Sequence, residues 1–145
     1  MVYIMEEMRL EKEVCKQLIQ AAYEAKKMSY APYSNFHVGA ALLGKSGRIY
    51  PGCNIENAAY TPTNCAERTA IFRAVSDGER EFTAIAVAGD GDDYLAPCGV
   101  CRQVLQEFTD PETFIVLMVG KGMDYRAMTL AELFPASFSK TDLEK

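Results

Sequence analysis

Between Glu11 and Met28 the apolar residues Val14, Leu18, Ala21, Ala22 and Ala25 recur at helical spacing, with Lys and Glu between them. That period predicts an amphipathic helix covering one face of a sheet. Phe36–Leu43 and Ile49–Ile55 read as strands, and Gly44-Lys45-Ser46-Gly47 between them supplies the turn chemistry of a hairpin. Asn64 or Thr63 then caps a helix marked by Ala66, Ala70, Ile71, Ala74 and Val75, which stops at Gly78. Phe82–Ala88 and Phe114–Val119 are nearly unbroken apolar runs, as expected of inner strands covered on both faces. A Cys98–Phe108 helix joins them in a right-handed strand-helix-strand crossover. A last short helix, Leu130–Phe134, follows the turn at Lys121-Gly122 and ends before Pro135.

The order is helix, two strands, helix, strand, helix, strands, helix. It predicts an α/β fold, a three-layer α/β/α sandwich with a mixed, mostly five-stranded sheet. Cys65 and Cys98 open helices that follow strands, which brings both to one crevice beyond the strand ends. Neither a repeat nor a linker interrupts the pattern, and 145 residues suit one domain spanning positions 1–145.

Charge narrows the ligand. A formal net charge of -5 provides no basic field for a polyphosphate, so nucleic acid is not expected as a partner. Met1–Leu10 carries Glu6 and Glu7 rather than a basic then apolar leader, and no run is long enough to span a bilayer. The expected compartment is the cytoplasm. Five cysteines, an odd number, suit metal ligands and free thiols better than a disulfide framework.

Pro97-Cys98-Gly99-Val100-Cys101 sets a CxxC at a helix start, where unpaired N–H groups and the helix dipole favour thiolates. Alone, that spacing serves half a structural zinc site, a redox pair or core packing. With no second CxxC and one histidine, a closed structural site lacks ligands. A catalytic site needs three ligands and an open position; Cys65, at another helix start, is the natural third, ahead of Cys53 and His37. His37 reads as a surface or hydrogen-bonded histidine. Glu67 has two readings: the far end of a capping box from Asn64, or a first-turn acid facing the open metal position. Arg68 is a solvated helix residue, or a cation offsetting the roughly one net negative charge that three thiolates leave on Zn²⁺. Asn54 and Glu56 share one strand face with Ile55 opposite, and either point outward or grip sugar hydroxyls. Phe36 shares its strand face with Val38 and Ala40 and reads as core before it reads as a stacking platform. Tyr60 and Phe138 carry no signal of their own.

Pro32-Tyr33-Ser34-Asn35-Phe36-His37-Val38-Gly39-Ala40-Ala41-Leu42, Gly52-Cys53-Asn54-Ile55-Glu56-Asn57-Ala58, Cys65-Ala66-Glu67-Arg68 and Pro97-Cys98-Gly99-Val100-Cys101-Arg102-Gln103 together closely resemble the small zinc-dependent cytidine deaminases acting on free nucleosides. The likeness runs from about Tyr30 to Phe138; Phe134 stands where that family often has Leu. It implies hydrolytic deamination of cytidine and deoxycytidine in pyrimidine salvage, with one Zn²⁺ per chain held by Cys65, Cys98 and Cys101. It also implies Glu67 as proton shuttle, Arg68 tempering the thiolates, Asn54 and Glu56 on the ribose, and Phe36 on the base. The same likeness implies a homotetramer in which Tyr60 and Phe138 reach a neighbour's pocket. Rival readings are a zinc deaminase of another nucleoside-like amine such as a blasticidin-type antibiotic, a thiol-disulfide oxidoreductase, and a noncatalytic zinc-stapled domain.

Overall fold

A computed structural model describes residues 10–144. The helix expected first is α1 (Lys12–Lys26), which buries Cys15, Leu18, Ile19, Ala22 and Ala25 along one stripe. The hairpin follows as β1 (Val38–Gly44) and β2 (Ile49–Cys53), joined antiparallel through a turn in which Gly47 takes φ 94°. α2 (Ala66–Ser76) ends two residues before Gly78, whose φ of 96° suits glycine. β3 (Phe82–Gly89), α3 (Gly99–Phe108) and β4 (Ile115–Val119) form the crossover, with β3 and β4 parallel. β5 (Tyr125–Thr129) returns antiparallel to β4. α4 (Leu130–Leu133) starts in a capping box between Thr129 and Glu132.

The sheet order is β2-β1-β3-β4-β5, mixed and five-stranded as expected. Along β3, Ala84, Ala86 and Ala88 turn to α1, and Ile85 turns to α2 and α3, so the unbroken apolar run serves two cores. The core under α1 joins Leu18, Ile19 and Ala22 to Ala41, Ile115 and Leu117. The other joins Ala66, Ala70, Ile71 and Leu105 to Ala40, Leu42 and Val116. Full burial of each Leu or Ile contributes roughly 1.5–3 kcal/mol. Helix and sheet backbones nearly touch: a Cβ on Gly39 would lie 1.9 Å from the Ala22 carbonyl oxygen, and one on Gly52 would lie 2.4 Å from the Ala70 nitrogen.

Several boundaries move. β1 begins at Val38, so Phe36 and His37 precede the strand instead of lying in it. Asn35 has φ 56°, and the His37 N–H is taken by the Asp90 carboxylate at 2.7 Å, leaving no strand ladder there. β2 stops at Cys53, because the Asn54 side chain enters the backbone network; Ile55 forms only isolated bridges to Tyr30 and Asn64. Asn54 and Glu56 therefore do not share a strand face. The cap of α2 is Cys65, without a side-chain cap bond, and Asn64 Nδ2 instead donates to Thr69 Oγ1 at 3.0 Å. Among the described residues no helix is long and apolar enough to cross a membrane. The reading of Met1–Leu10 lies, but for Leu10, outside the described residues.

Candidate active site

Cys65 and Cys98 are the N-caps of α2 and α3, and Cys101 lies one turn into α3. The two helix starts face each other at one end of the sheet, so three sulfurs meet. Sγ of Cys65 and Cys98 are 3.8 Å apart, Cys98 and Cys101 are 3.5 Å apart, and all three lie within 4.8 Å of one another. Thiolates about 2.3 Å from a tetrahedral zinc stand about 3.8 Å from each other, so the donor set and its spacing fit that ion.

Electrostatics agree with the fit. The Cys101 thiol and the Arg68 guanidinium beside Cys65 outweigh its burial and bring its pKa down to about 5. Arg68 Nη2 donates to Cys65 Sγ at 3.2 Å. Cys101 moves the opposite way, because it donates to Cys65 and is buried. Two neighbouring thiols pushed in opposite directions share one negative charge, as donors crowded around one cation position do. His37 and Cys53 stand apart from the cluster. His37 Nδ1 pairs with Asp90 at 2.7 Å, and burial raises the Cys53 thiol.

Glu67, in the first turn of α2, is 4% exposed. It has not folded back to cap the helix. Burial first, then the Cys65 charge, push its carboxyl up to about 7 against opposing pull from its own N–H and Arg68. With Cys65 and Cys98 it lines a cleft of about 260 Å³, together with Val38, Asn54, Glu56 and Leu95. A carboxylic acid buried beside a metal position is placed to exchange protons there.

The polar wall is knitted into the backbone. Asn54 Oδ1 accepts from Val38 N at 2.9 Å and from Ser29 Oγ, and Asn54 Nδ2 donates to the Phe36 carbonyl at 2.8 Å. Glu56 Oε1 accepts from Tyr33 N at 3.0 Å and Ser34 N at 3.1 Å, and Oε2 accepts from Ser34 Oγ. These bonds, led by the Ser34 hydroxyl, hold the Glu56 carboxyl below its ordinary range. An amide offers two N–H donors and a carboxylate about four acceptor positions, so Asn54 keeps one donor and Glu56 about one acceptor. A single hydroxyl needs that pair.

Phe36 does not belong to the core: it is 38% exposed, and its ring lies against Gly89 beside Leu95. Tyr60, at φ 62°, lines an adjoining depression of about 280 Å³ with Tyr33, Ser34 and Glu56. Phe138 is exposed, and its carbonyl accepts from Gln103 Nε2 at 2.9 Å. Sequence reasoning missed Ser34 as the holder of Glu56 and Leu95 as a cleft wall. Ser34 lay inside a motif already singled out; Leu95 carried no signal.

Three thiols at two helix starts, a buried acid beside them and an open cleft define a metal-dependent hydrolytic site on an α/β/α sheet. Residues 12–118 match the family model described as the cytidine and deoxycytidylate deaminase zinc-binding region. The chain is 52% identical over 128 residues to the cytidine deaminase of Sporosarcina psychrophila, covering 88% of this chain and 93% of that one. It is 47% identical to the cytidine deaminase of Halalkalibacterium halodurans, over 88% of this chain and 96% of that one. The crystal structure of cytidine deaminase from Burkholderia pseudomallei superimposes with a TM-score of 0.81 at 45% identity, covering 89% of this chain and all of that one. The chain belongs to the cytidine and deoxycytidylate deaminase family and is a zinc-dependent deaminase.

Proposed function

We propose that this chain, acting as one domain, hydrolyses free cytidine and deoxycytidine to uridine and deoxyuridine with release of ammonia. The observation that carries this is the buried Glu67 carboxyl on the same cleft as Cys65 and Cys98, opposite the spare donor of Asn54 and acceptor of Glu56. Cys65, Cys98 and Cys101 would hold the zinc, whose bound form supplies Lewis-acid activation of water at neutral pH. Glu67 takes a proton from the attacking water and passes it to N3 of the pyrimidine, which makes C4 electrophilic. Glu67 then takes the second proton from that oxygen, now bonded to C4, and delivers it to the exocyclic amine; the C4–N bond breaks, ammonia leaves, and the oxygen remains as the C4 carbonyl. Arg68, donating to Cys65, offsets the negative charge of the sulfurs. Asn54 and Glu56 hold a ribose hydroxyl, and Phe36 packs on the base.

A free nucleoside suits the cleft better than a polynucleotide, because the net charge of -5 repels phosphates. Exposed Met28, Ile55, Phe72 and Val100, with an apolar groove of about 530 Å³ at Met28, Pro51 and Ile55, support a homotetramer in which Tyr60 and Phe138 reach a neighbouring cleft. Five free cysteines support a cytoplasmic location. Loss of the aminopyrimidine ultraviolet band on mixing the protein with cytidine, abolished by chelation and restored by Zn²⁺, tests the activity. A parallel ammonia assay with a blasticidin-type antibiotic must show the weaker turnover. Solution mass tests the assembly.

A further inference from the structure

We propose that Lys26, Asp90 and His37 form a positioning network that seats Phe36 and Leu95 as one wall of the cleft, and so sets affinity for the pyrimidine base. The inference rests on the reading of Phe36 as the base-packing residue. Asp90 follows β3 directly and opens the loop that leads to Cys98. Its carboxylate gathers three separate segments. Oδ2 accepts from the His37 backbone N–H at 2.7 Å and meets His37 Nδ1 at 2.7 Å, while Oδ1 pairs with Lys26 Nζ, the last residue of α1, at 3.2 Å. Lys26 also donates to the Gly89 carbonyl at 3.3 Å. Burial alone would raise the Asp90 carboxyl, but the His37 N–H groups and the Lys26 ammonium hold it below its ordinary range, so Asp90 stays ionised.

The network meets the cleft wall at Gly89 and at the chain beside Phe36. A Cβ on Gly89 would lie 2.8 Å from Leu95 Cδ2 and 3.0 Å from Phe36 Cε2 and Cζ, so ring and leucine share the Gly89 backbone as their seat. Leu95 lines the cleft beside Cys98, and its N–H donates to Val119 O at 3.3 Å. Phe36 is held by Ser34 Oγ on its N–H and by Asn54 on its carbonyl; Asp90 holds the next N–H and, from across the ring, the end of β3. Removing Asp90 releases the seat and the chain beside the ring together. Glu67 and the sulfurs stay where the helix starts hold them. The expected consequence is weaker base binding with intact chemistry.

Steady-state kinetics of the zinc-loaded enzyme with cytidine test this in a cycle of Asp90→Ala, Phe36→Ala and the double variant. Asp90→Ala is expected to raise KM about tenfold with kcat within about threefold, the signature of lost binding common to ground and transition states. Zinc content should be unchanged. In the Phe36→Ala background the same substitution should alter kcat/KM by less than about twofold, because residues acting through one another are not additive. Asp90→Asn, which still accepts the His37 N–H but has no charge for Lys26, should give an intermediate KM. It replaces Asp90→Ala in the cycle if that variant does not fold. An unchanged KM in Asp90→Asn and Asp90→Ala, or an equal fold-change in both backgrounds, overturns the proposal while leaving Phe36 on the base. Unchanged kinetics in Phe36→Ala overturns the base-packing reading, and the proposal with it.

Discussion

Among the described residues one face of the sheet is covered by α1, and the other by α2, α3 and the short α4. Both are packed with small residues at close approach, Gly39 against Ala22 under α1 and Gly52 against Ala66 and Ala70 under α2. Both bury continuous apolar clusters. They differ at the helix ends. α1 begins with Glu11 as its cap, and its one buried thiol, Cys15, is raised by burial and stays an apolar filler. α2 and α3 begin with cysteine caps at one end of the sheet, where N–H groups without intrahelical partners meet the cleft. Equal packing thus underlies a scaffold on one face and the proposed reactive centre on the other, and what separates them is where the helices start.

That contrast is broken most severely at a sulfur. Cys98→Ala leaves two thiols, too few for a catalytic zinc site, so metal content by atomic emission and cytidine turnover should fall together to background. Retained stoichiometric zinc with normal turnover would place the ion elsewhere. Glu67→Gln, next in size, separates the proposed proton carrier from the metal. Bound zinc should persist while kcat falls by about 10²–10⁴, the range typical of a lost general acid-base. Near-normal turnover would remove Glu67 from the chemical step.

Helix starts are also what made the site legible. In Cys98-x-x-Cys101 and Cys65-x-Glu67 the functional groups lie within one turn, so spacing in the chain is spacing in the molecule. The inner strands were equally plain, because β3 and β4 are buried on both faces. β5 was harder to delimit: only Ala127 is buried, and the alternation that would have marked its ends is missing. The loop residues were misread for a different reason. Phe36 looked like strand and core because its neighbours alternate, but a carboxylate 53 positions away takes the next N–H. Asn54 and Glu56 looked like a strand face, whereas their partners Val38, Tyr33 and Ser34 come from a segment 16 to 23 positions earlier. Side-chain to backbone bonds across such separations leave no period in a sequence.

Those bonds yield a third, smaller effect. Asn54→Ala frees the Val38 N–H and the Phe36 carbonyl, which should cost about 1–3 kcal/mol in urea unfolding for the two part-buried hydrogen bonds lost. It should also lower kcat/KM for cytidine by about ten- to a hundredfold, because a site built to bond a hydroxyl loses its donor. Zinc content should not change. Intact kcat/KM with reduced stability would make Asn54 a brace of the loop and no more.

The smallest effect on turnover is expected from the scaffold face. A methyl at Gly39 meets the Ala22 carbonyl at 1.9 Å and the Lys26 nitrogen at 2.5 Å, so Gly39→Ala must push α1 outward. Overpacking of this kind costs about 1–3 kcal/mol, occasionally more, and should appear in full as a lower unfolding midpoint. Because the sulfurs and Glu67 hang from α2 and α3, kcat per bound zinc should stay within about twofold below that midpoint. Gly52→Ala makes the same intrusion on the other face, 2.4 Å from Ala70 N and 2.6 Å from Ala66 O, one residue beyond Cys65 and one before Glu67. At a similar loss of stability it should reduce both zinc occupancy and kcat, since any shift of the first turn of α2 moves a proposed ligand, Cys65, and the proposed proton carrier, Glu67, together. Equal losses of turnover in the two variants would mean that the faces are mechanically coupled through the sheet and that the division between scaffold and reactive centre does not hold.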